Sequence, residues 1–223
     1  MTRGSFAFLA LLMGLATNAA ANVVVNPSFE TFTGSFNPDG AAGLAPGATS
    51  LTGWRIVDGD GGIIKTGNIY NLTPSDGDKF LDLTGYSNAG FPKGVSQTLT
   101  GLTVGQIYAL SLDIGIRNGP CVNGGDNCHG PVEVKASIGS TSQTFTENSA
   151  LSGNNWGTFG FDFKATDTSM DLVILGLSVP LGNEYIGVDR VSVNAIPEPA
   201  AVWMVGLGVV VLLAVGKLHS RRW

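Results

Sequence analysis

Charge is scarce in this chain. Only 13% of its 223 residues are Asp, Glu, Lys or Arg, and the formal net charge is −5. No run of Lys or Arg occurs before the extreme C-terminus, which argues against a nucleic-acid partner because such partners require a basic patch. Only two histidines are present, and no Gly-x-Ser-x-Gly motif occurs, so a Ser/His/Asp hydrolase has little support. We also find no convincing amphipathic helix.

Glycine and period-two alternation are abundant instead. The chain has 32 glycines, and apolar side chains alternate with polar ones through residues 108–114, 132–138 and 159–163. Shorter strand-like runs lie at residues 23–25, 54–57, 80–84, 95–99, 172–177 and 191–193. Clusters of Gly, Pro, Asn and Asp separate the runs, as turns do. The pattern predicts nine or ten short strands, hence an all-β, antiparallel β-sandwich formed by residues 22–195.

The first 21 residues have the three parts of a secretory signal peptide. Arg3 gives a positive start, and residues 6–16 form an apolar stretch too short to span a bilayer. Ala19, Ala20 and Ala21 are the small residues that a signal peptidase recognises. We expect cleavage after Ala21, so that residues 1–21 are removed; the alternative is an uncleaved anchor. In both cases the chain is exported.

The C-terminal residues predict a transmembrane helix. Residues 200–216 carry no charge, and a helix of this length spans about 25 Å, the short end for a bilayer. Residues 217–223 then form a basic end that includes Arg221 and Arg222. Basic residues beside a span stay in the cytoplasm, so the domain should lie outside. A buried core helix is the alternative, but the segment is apolar on every side.

Residues 196–199 join the predicted domain to the predicted span. Pro197 and Pro199 prevent a helix there and leave Glu198 in an extended, accessible linker. Ile196 to Pro199, the apolar segment and the basic end together resemble a PEP-CTERM sorting signal, over the last 28 residues. The resemblance implies anchoring in the inner membrane of a Gram-negative bacterium and processing by an exosortase-type membrane enzyme. The destination is then the cell surface or the extracellular polysaccharide matrix.

A second resemblance covers most of residues 22–194. The segments NPSFE at 26–30, GW at 53–54, PSDGDKFLDLTG at 74–85, GVSQTLTGLTVGQIYALSLDIG at 94–115 and IGVDRVSV at 186–193 follow one another. Their order is similar to that of galactose-binding-like jelly rolls, and nearest to an exoprotein family of unknown function within that group. The resemblance implies a jelly-roll fold and relatives that include many carbohydrate-binding modules.

The jelly-roll resemblance also implies a structural calcium ion. In similar domains a Glu of the first segment and an Asp before the last strand bind Ca²⁺; here these are Glu30 and Asp189. Calcium takes six to eight oxygen ligands, so carbonyls or water must complete the shell. The alternative is that Glu30 pairs with Arg190 or another base, and that Asp189 caps a turn. By contrast, residues 58–62 lack the Glu of a calcium loop and predict a solvated hairpin turn.

Cys121 and Cys128 enclose six residues. In an exported protein two nearby cysteines favour a disulfide, which here would close a short surface loop. A metal site that uses both cysteines and His129 is the alternative, but it needs a fourth ligand that the sequence does not identify.

Three aromatic residues are candidates for contact with a sugar. Tyr70, Tyr86 and Phe91 lie in or beside loop-like stretches, and sugar faces stack on aromatic rings; packing at the rim of the core is the alternative role. We therefore expect a non-catalytic protein that binds extracellular polysaccharide. A structural or adhesive surface protein with protein partners is the second interpretation. A glycoside-active enzyme is the third interpretation. Such an enzyme would need two carboxylates in one cleft.

Overall fold

The computed structural model describes residues 21–69, 72–85, 90–116, 131–147, 155–178 and 186–197. These ranges contain eleven β-strands in two antiparallel sheets. In chain order the strands are β1 (Ala41–Leu44), β2 (Arg55–Val57), β3 (Gly61–Lys65), β4 (Lys79–Asp82), β5 (Lys93–Thr100), β6 (Ile107–Ile116), β7 (Val132–Ile138), β8 (Thr141–Glu147), β9 (Asn155–Lys164), β10 (Ser169–Ser178) and β11 (Ile186–Ala195).

Six strands form one sheet in the order β1-β3-β4-β11-β6-β9, and five form the other in the order β2-β5-β10-β7-β8. The predicted all-β, antiparallel sandwich is therefore confirmed. Among the residues described, no helix is long and apolar enough to cross a membrane. Residues 1–20 of the predicted signal peptide lie outside the described ranges, and so does the predicted span at residues 200–216.

The longest predicted strands are present, with the predicted faces inward. Tyr108, Leu110, Leu112 and Ile114 of β6 are buried in the main core, and Val132, Val134, Ala136 and Ile138 of β7 pack in the same cluster. Because side chains of a strand alternate between faces, the intervening residues point to the opposite face of each sheet. The two sheets thus bury one shared apolar layer, as a sandwich requires.

Three strands of the structure were not predicted, and one predicted strand does not form. Strands β1 and β3 were not predicted because they are short and buried on both faces, and β8 because its residues are mostly Thr, Ser and Gln. Residues 23–25, in turn, do not form a strand. Val23 donates one backbone hydrogen bond to Val193, but Gln97 binds the backbone of Val25 through its side chain, and Asn26 turns the chain with φ = 53°.

A small second cluster lies on the outer face of the six-stranded sheet. Ala41, Ile64, Leu72 and Phe80 form it, and Trp156 of β9 packs against them. The Trp156 indole meets the Phe80 ring edge-on at 5.6 Å, and its Nε1–H donates to the Thr73 carbonyl at 2.8 Å. This cluster fastens residues 72–80 onto the sheet, which positions the first candidate site.

The two ends of the sandwich differ. At the tail end, residues 101–106 turn into β6, residues 165–168 connect β9 to β10, and the chain leaves β11 at Ile196. At the far end, Ile116 lies opposite both Asn155 and Ile186, so strands β6, β9 and β11 meet there.

Candidate functional site

The carboxylates of Glu30 and Asp189 accept hydrogen bonds from the two halves of one segment, residues 73–79. Asp189 Oδ2 accepts backbone N–H bonds from Ser75 at 2.8 Å and Asp76 at 3.0 Å. Glu30 Oε1 accepts backbone N–H bonds from Asp78 and Lys79, each at 2.8 Å. We call this arrangement the clasp: two carboxylates from opposite ends of the chain hold a loop that connects neither of their own segments.

A second buried carboxylate lies beside the clasp. Asp113 of β6 is registered opposite Asp189 of β11, and the Ser75 hydroxyl donates to Asp113 Oδ2 at 2.8 Å. Arg190 pairs with Asp113, its Nε 3.0 Å from Oδ2. Burial raises the pKa of Asp189 to about 7, although the amide donors of Asp76, Arg190 and Ser75 act in the opposite direction.

The clasp bears directly on the predicted calcium site. Every oxygen of the two carboxylates already accepts a hydrogen bond: Asp189 Oδ1 accepts from Arg190 N at 2.7 Å, and Glu30 Oε2 pairs with Lys79 Nζ at 3.1 Å. The base that pairs with Glu30 is thus Lys79, whereas Arg190 pairs with Asp113. Within the described ranges no cluster of three or more His, Cys, Asp or Glu is arranged for a metal. A calcium ion would have to compete with these donors, so its presence stays a prediction.

A buried ion pair connects the two sheets near the far end. The Lys93 ammonium lies 2.6 Å from Asp60 Oδ1 and donates to the Thr84 carbonyl at 2.7 Å. The Thr84 hydroxyl and amide in turn both donate to Asp82 Oδ1. Burial raises the pKa of Asp82 to about 7 despite these bonds and the nearby Lys93 charge. The four side chains form one continuous polar network inside an otherwise apolar edge.

This ion pair corrects the interpretation of residues 58–62. They do not form a hairpin turn, because β2 belongs to the five-stranded sheet and β3 to the six-stranded sheet. The chain crosses between sheets there, with Asp58 at φ = 52° and Gly59 at φ = 122°. Asp60 turns inward because Lys93 is buried opposite it, whereas the sequence alone suggested a solvated carboxylate.

An open groove of about 780 Å³ lies on the five-stranded sheet. Its floor includes residues of β2, β5 and β10, and its hydrogen-bonding side chains include Arg55, Ser96, Thr98 and Asp171. Ser96 lies opposite Arg55 on one side and Val173 on the other, so the floor is a single outward-facing row across three strands. Thr98 donates to Asp171 Oδ1 at 2.7 Å, which fixes that carboxylate.

Phe91, the predicted sugar-contacting residue that lies in the described part of the chain, is not among the residues that line this groove. Phe91 is half-buried, packs against the main core, and has the Lys93 ammonium 5.7 Å from its ring centroid. Tyr70 and Tyr86 lie outside the described residues. Phe91 thus packs at the rim of the core, and its contact with a sugar stays a prediction. No pattern in the sequence indicates Arg55 or Asp171, since an outward polar residue of a strand looks like ordinary solvated alternation.

The remaining predicted sites cannot be placed. Cys121, Cys128, Glu198, Pro199, Arg221 and Arg222 lie outside the described residues. Pro197 is the last residue described, and it is exposed. The disulfide and the sorting motif therefore stay predictions.

Comparison with known proteins shows similarity in fold only. No family model and no curated protein matches this chain. The arabinose-bound MgGH51 α-L-arabinofuranosidase is 13% identical, with a TM-score of 0.50, and the match covers 79% of this chain but only 27% of that enzyme.

Two binding domains are more distant in structure. The CBM22-1 xylan-binding domain of Paenibacillus barcinonensis Xyn10C is 13% identical over 82% of this chain and all (100%) of that domain, with a TM-score of 0.42. TmCBM61, in complex with β-1,4-galactotriose, is 12% identical over 79% of this chain and 100% of that one, also with a TM-score of 0.42. This chain is a two-sheet antiparallel β-sandwich, and its similarity to these proteins is one of fold alone.

Proposed function

We propose that this protein is an exported, non-catalytic jelly-roll domain that binds extended polysaccharide in the groove of the five-stranded sheet. The observation that carries the proposal is the groove itself: about 780 Å³ of open space above three rigid strands, lined by side chains that form hydrogen bonds. Ligand sites combine a preformed concave surface with a few fixed polar groups, and this groove has both.

The groove has the chemistry for sugar hydroxyls. Arg55 donates, Asp171 accepts, and Ser96 and Thr98 do either. Val57 and Val173 give apolar surface for the C–H faces of a sugar ring. Trp54 borders the groove but is only 2% exposed, so its ring is not a stacking platform. We therefore expect affinity to come from several hydrogen bonds along a polymer, with modest strength at each sugar.

The same groove is poorly suited to glycoside hydrolysis. Asp58 and Asp171 are the two carboxylates among the described residues that line it, and they lie toward opposite ends. Val57, which precedes Asp58, is registered with Gly94, and Asp171 is registered with Thr98. Four residues along a strand cover about 13 Å. Glycosidases need carboxyl groups about 5–9.5 Å apart, so this pair favours binding without cleavage.

Export and sorting are the second part of the proposal. The N-terminal residues resemble a signal peptide, and the last 28 residues resemble a PEP-CTERM tail that an exosortase-type enzyme would process. Strand β11 ends at Ala195, next to the motif that begins at Ile196. This supports a domain that closes where the proposed sorting tail begins. Calcium at Glu30 and Asp189 remains part of the proposal for the folded domain.

The binding test uses the purified full chain in detergent on a polysaccharide array, followed by calorimetry with the best ligand. Arg55→Ala and Asp171→Asn should each weaken binding at least five-fold. Lys135→Ala is the matched control, because Lys135 lies on the same sheet but does not line the groove. Equal affinity in all three variants would remove the groove as the site. Binding to no glycan would instead favour the structural or adhesive role.

Sorting is tested separately by intact-mass measurement of the protein recovered from the cell surface and medium. The expected mass lacks residues 1–21 and the residues after Ile196. An intact tail on surface material would contradict processing.

A further inference from the structure

We propose that, before the tail is processed and while residues 200–216 still anchor the chain, the tail end of the sandwich rests on the outer surface of the lipid bilayer, with Val104 and Ile107 entering the headgroup region. The inference rests on the proposed anchoring by residues 200–216, and it adds which face of the domain meets the lipid. The partner is the same membrane that holds the tail.

The first observation is exposed apolar surface at the tail end. Val104 is 59% exposed and Ile107 is 48% exposed, and they are two of four large hydrophobic residues that are strongly exposed among those described. A single exposed aliphatic residue on a soluble protein means little. Val104 lies in the turn that leads into β6, and Ile107 is the first residue of that strand, so both stand at the tail end of the sandwich; we call these two residues the apolar edge.

The second observation is that the chain leaves the domain beside this edge. Ile196 N donates to the Ile107 carbonyl at 2.9 Å, and the Gln106 side chain donates to the Ile196 carbonyl at 2.6 Å. Ile196 is therefore held by hydrogen bonds next to Ile107, one of the two residues of the apolar edge.

The third observation is the short distance to the apolar segment. Only Pro197, Glu198 and Pro199 separate Ile196 from residues 200–216. The four Cα–Cα steps from Ile196 to residue 200 reach about 13 Å when extended, and the prolines favour an extended chain. With the segment in a bilayer, Ile196 must lie within about 13 Å of the hydrocarbon core, and the headgroup region occupies about 5–8 Å of that distance.

The charged residues around the apolar edge give no net positive charge. Lys164 is registered opposite Ile107, and Asp167 lies in the neighbouring turn; both are exposed. Glu198 adds one negative charge in the linker. A patch without net positive charge is not drawn to anionic lipid in particular, so the contact depends on shallow apolar insertion and on the tether. The far end, where β6, β9 and β11 meet, then points away from the membrane.

The test places a photo-activatable diazirine amino acid at position 104, 107 or 146 of the full chain, reconstituted in phosphatidylcholine vesicles. Thr146 is the control, because it is exposed and lies on β8 near the far end. After illumination, lipid adducts on the protein are counted by mass spectrometry. We expect adducts at positions 104 and 107 to exceed those at 146 by at least five-fold.

Carbonate extraction of the same vesicles separates this inference from the anchoring on which it rests. If the chain resists extraction but positions 104 and 107 give no more adduct than 146, the docking face is wrong while anchoring holds. If carbonate releases the chain, anchoring fails and the docking inference fails with it. Resistance together with adducts confined to 104 and 107 supports both.

Discussion

The Lys93 ammonium lies 2.6 Å from Asp60 Oδ1, although the Lys93 side chain is only 1% exposed. Lys93 begins β5 of the five-stranded sheet, and Asp60 precedes β3 of the six-stranded sheet. The pair therefore joins the two layers where β2 crosses to β3. A lysine is almost never buried this fully unless its charge is paired, so the Asp60 carboxylate is what compensates the buried Lys93 ammonium.

Removing the two partners should have unequal effects. Asp60→Asn takes away the carboxylate and leaves a buried ammonium, so we expect a loss of about 2–4 kcal/mol in the free energy of unfolding. Lys93→Met leaves a partly exposed carboxylate that water can reach, so we expect about 1–2 kcal/mol. Urea unfolding of both variants measures the difference. A larger loss for Lys93→Met would contradict the account.

Asp82 should make the domain less stable as pH rises. Its pKa is about 7 in the folded protein because burial disfavours the charged form, against 3.8 when solvated. The folded state thus binds the proton more tightly than the unfolded state. The stabilisation is present below about pH 4 and is lost as pH rises through 7, by at most about 4 kcal/mol.

Asp82→Asn isolates this effect, since the amide oxygen still accepts from Thr84. We expect the variant to lose less stability than the parent protein between pH 4 and pH 8, as measured by urea unfolding at each pH. Asp189 contributes to the same window, because burial raises its pKa to about 7 too, so some slope should remain. Asp162→Asn, at an exposed position, is the control. Parallel curves for all three proteins would remove Asp82 as the cause.

The clasp predicts separate effects of mutation and of metal. Asp189→Asn puts an amide in a site that receives N–H donors from Ser75 and Asp76. Repulsion between the amide and these donors, or the loss of charge-assisted hydrogen bonds, should lower the free energy of unfolding of Asp189→Asn by about 2–3 kcal/mol. Glu30→Gln should cost less, because Glu30 is only half-buried.

Calcium is tested on the same proteins by thermal unfolding with calcium and with a chelator. If the predicted ion binds, calcium at 100 times its dissociation constant should add about 2.7 kcal/mol to the parent protein and little to Asp189→Asn. Unchanged melting in chelator would remove calcium from the proposal. The clasp would then hold the loop through hydrogen bonds alone.

The fold followed from the sequence where periodicity was strong. Alternation in residues 108–114 and 132–138 placed β6 and β7 and their inward faces, because burial of one face forces a period of two. Strand β3 escaped prediction because Ile63 and Ile64 are both buried, one in each apolar cluster, and such a segment shows no alternation.

The candidate sites were less predictable because they depend on distant pairings. Glu30 and Asp189 were singled out from a family resemblance, and the structure brings them to one loop, which no local pattern reveals. The groove arises only when β2, β5 and β10 lie side by side, since Arg55 and Asp171 are far apart in the chain. The sequence around Asp60 predicts a solvated carboxylate, because nothing local indicates the buried Lys93.

Trp156 allows a last distinction between packing and ligand contact. Its ring packs on Phe80, and its Nε1–H bonds to the Thr73 carbonyl at 2.8 Å. Trp156→Phe keeps an aromatic ring but leaves that carbonyl without its donor, so we expect a loss of about 1 kcal/mol in unfolding free energy. Trp156→Ala also empties the space above Gly115 and Gly187 and should cost about 3 kcal/mol or more.

Polysaccharide affinity of the folded Trp156→Phe protein should equal that of the parent, because Trp156 lies on the other sheet from the groove. A large loss of affinity with little loss of stability would move the ligand to the six-stranded sheet.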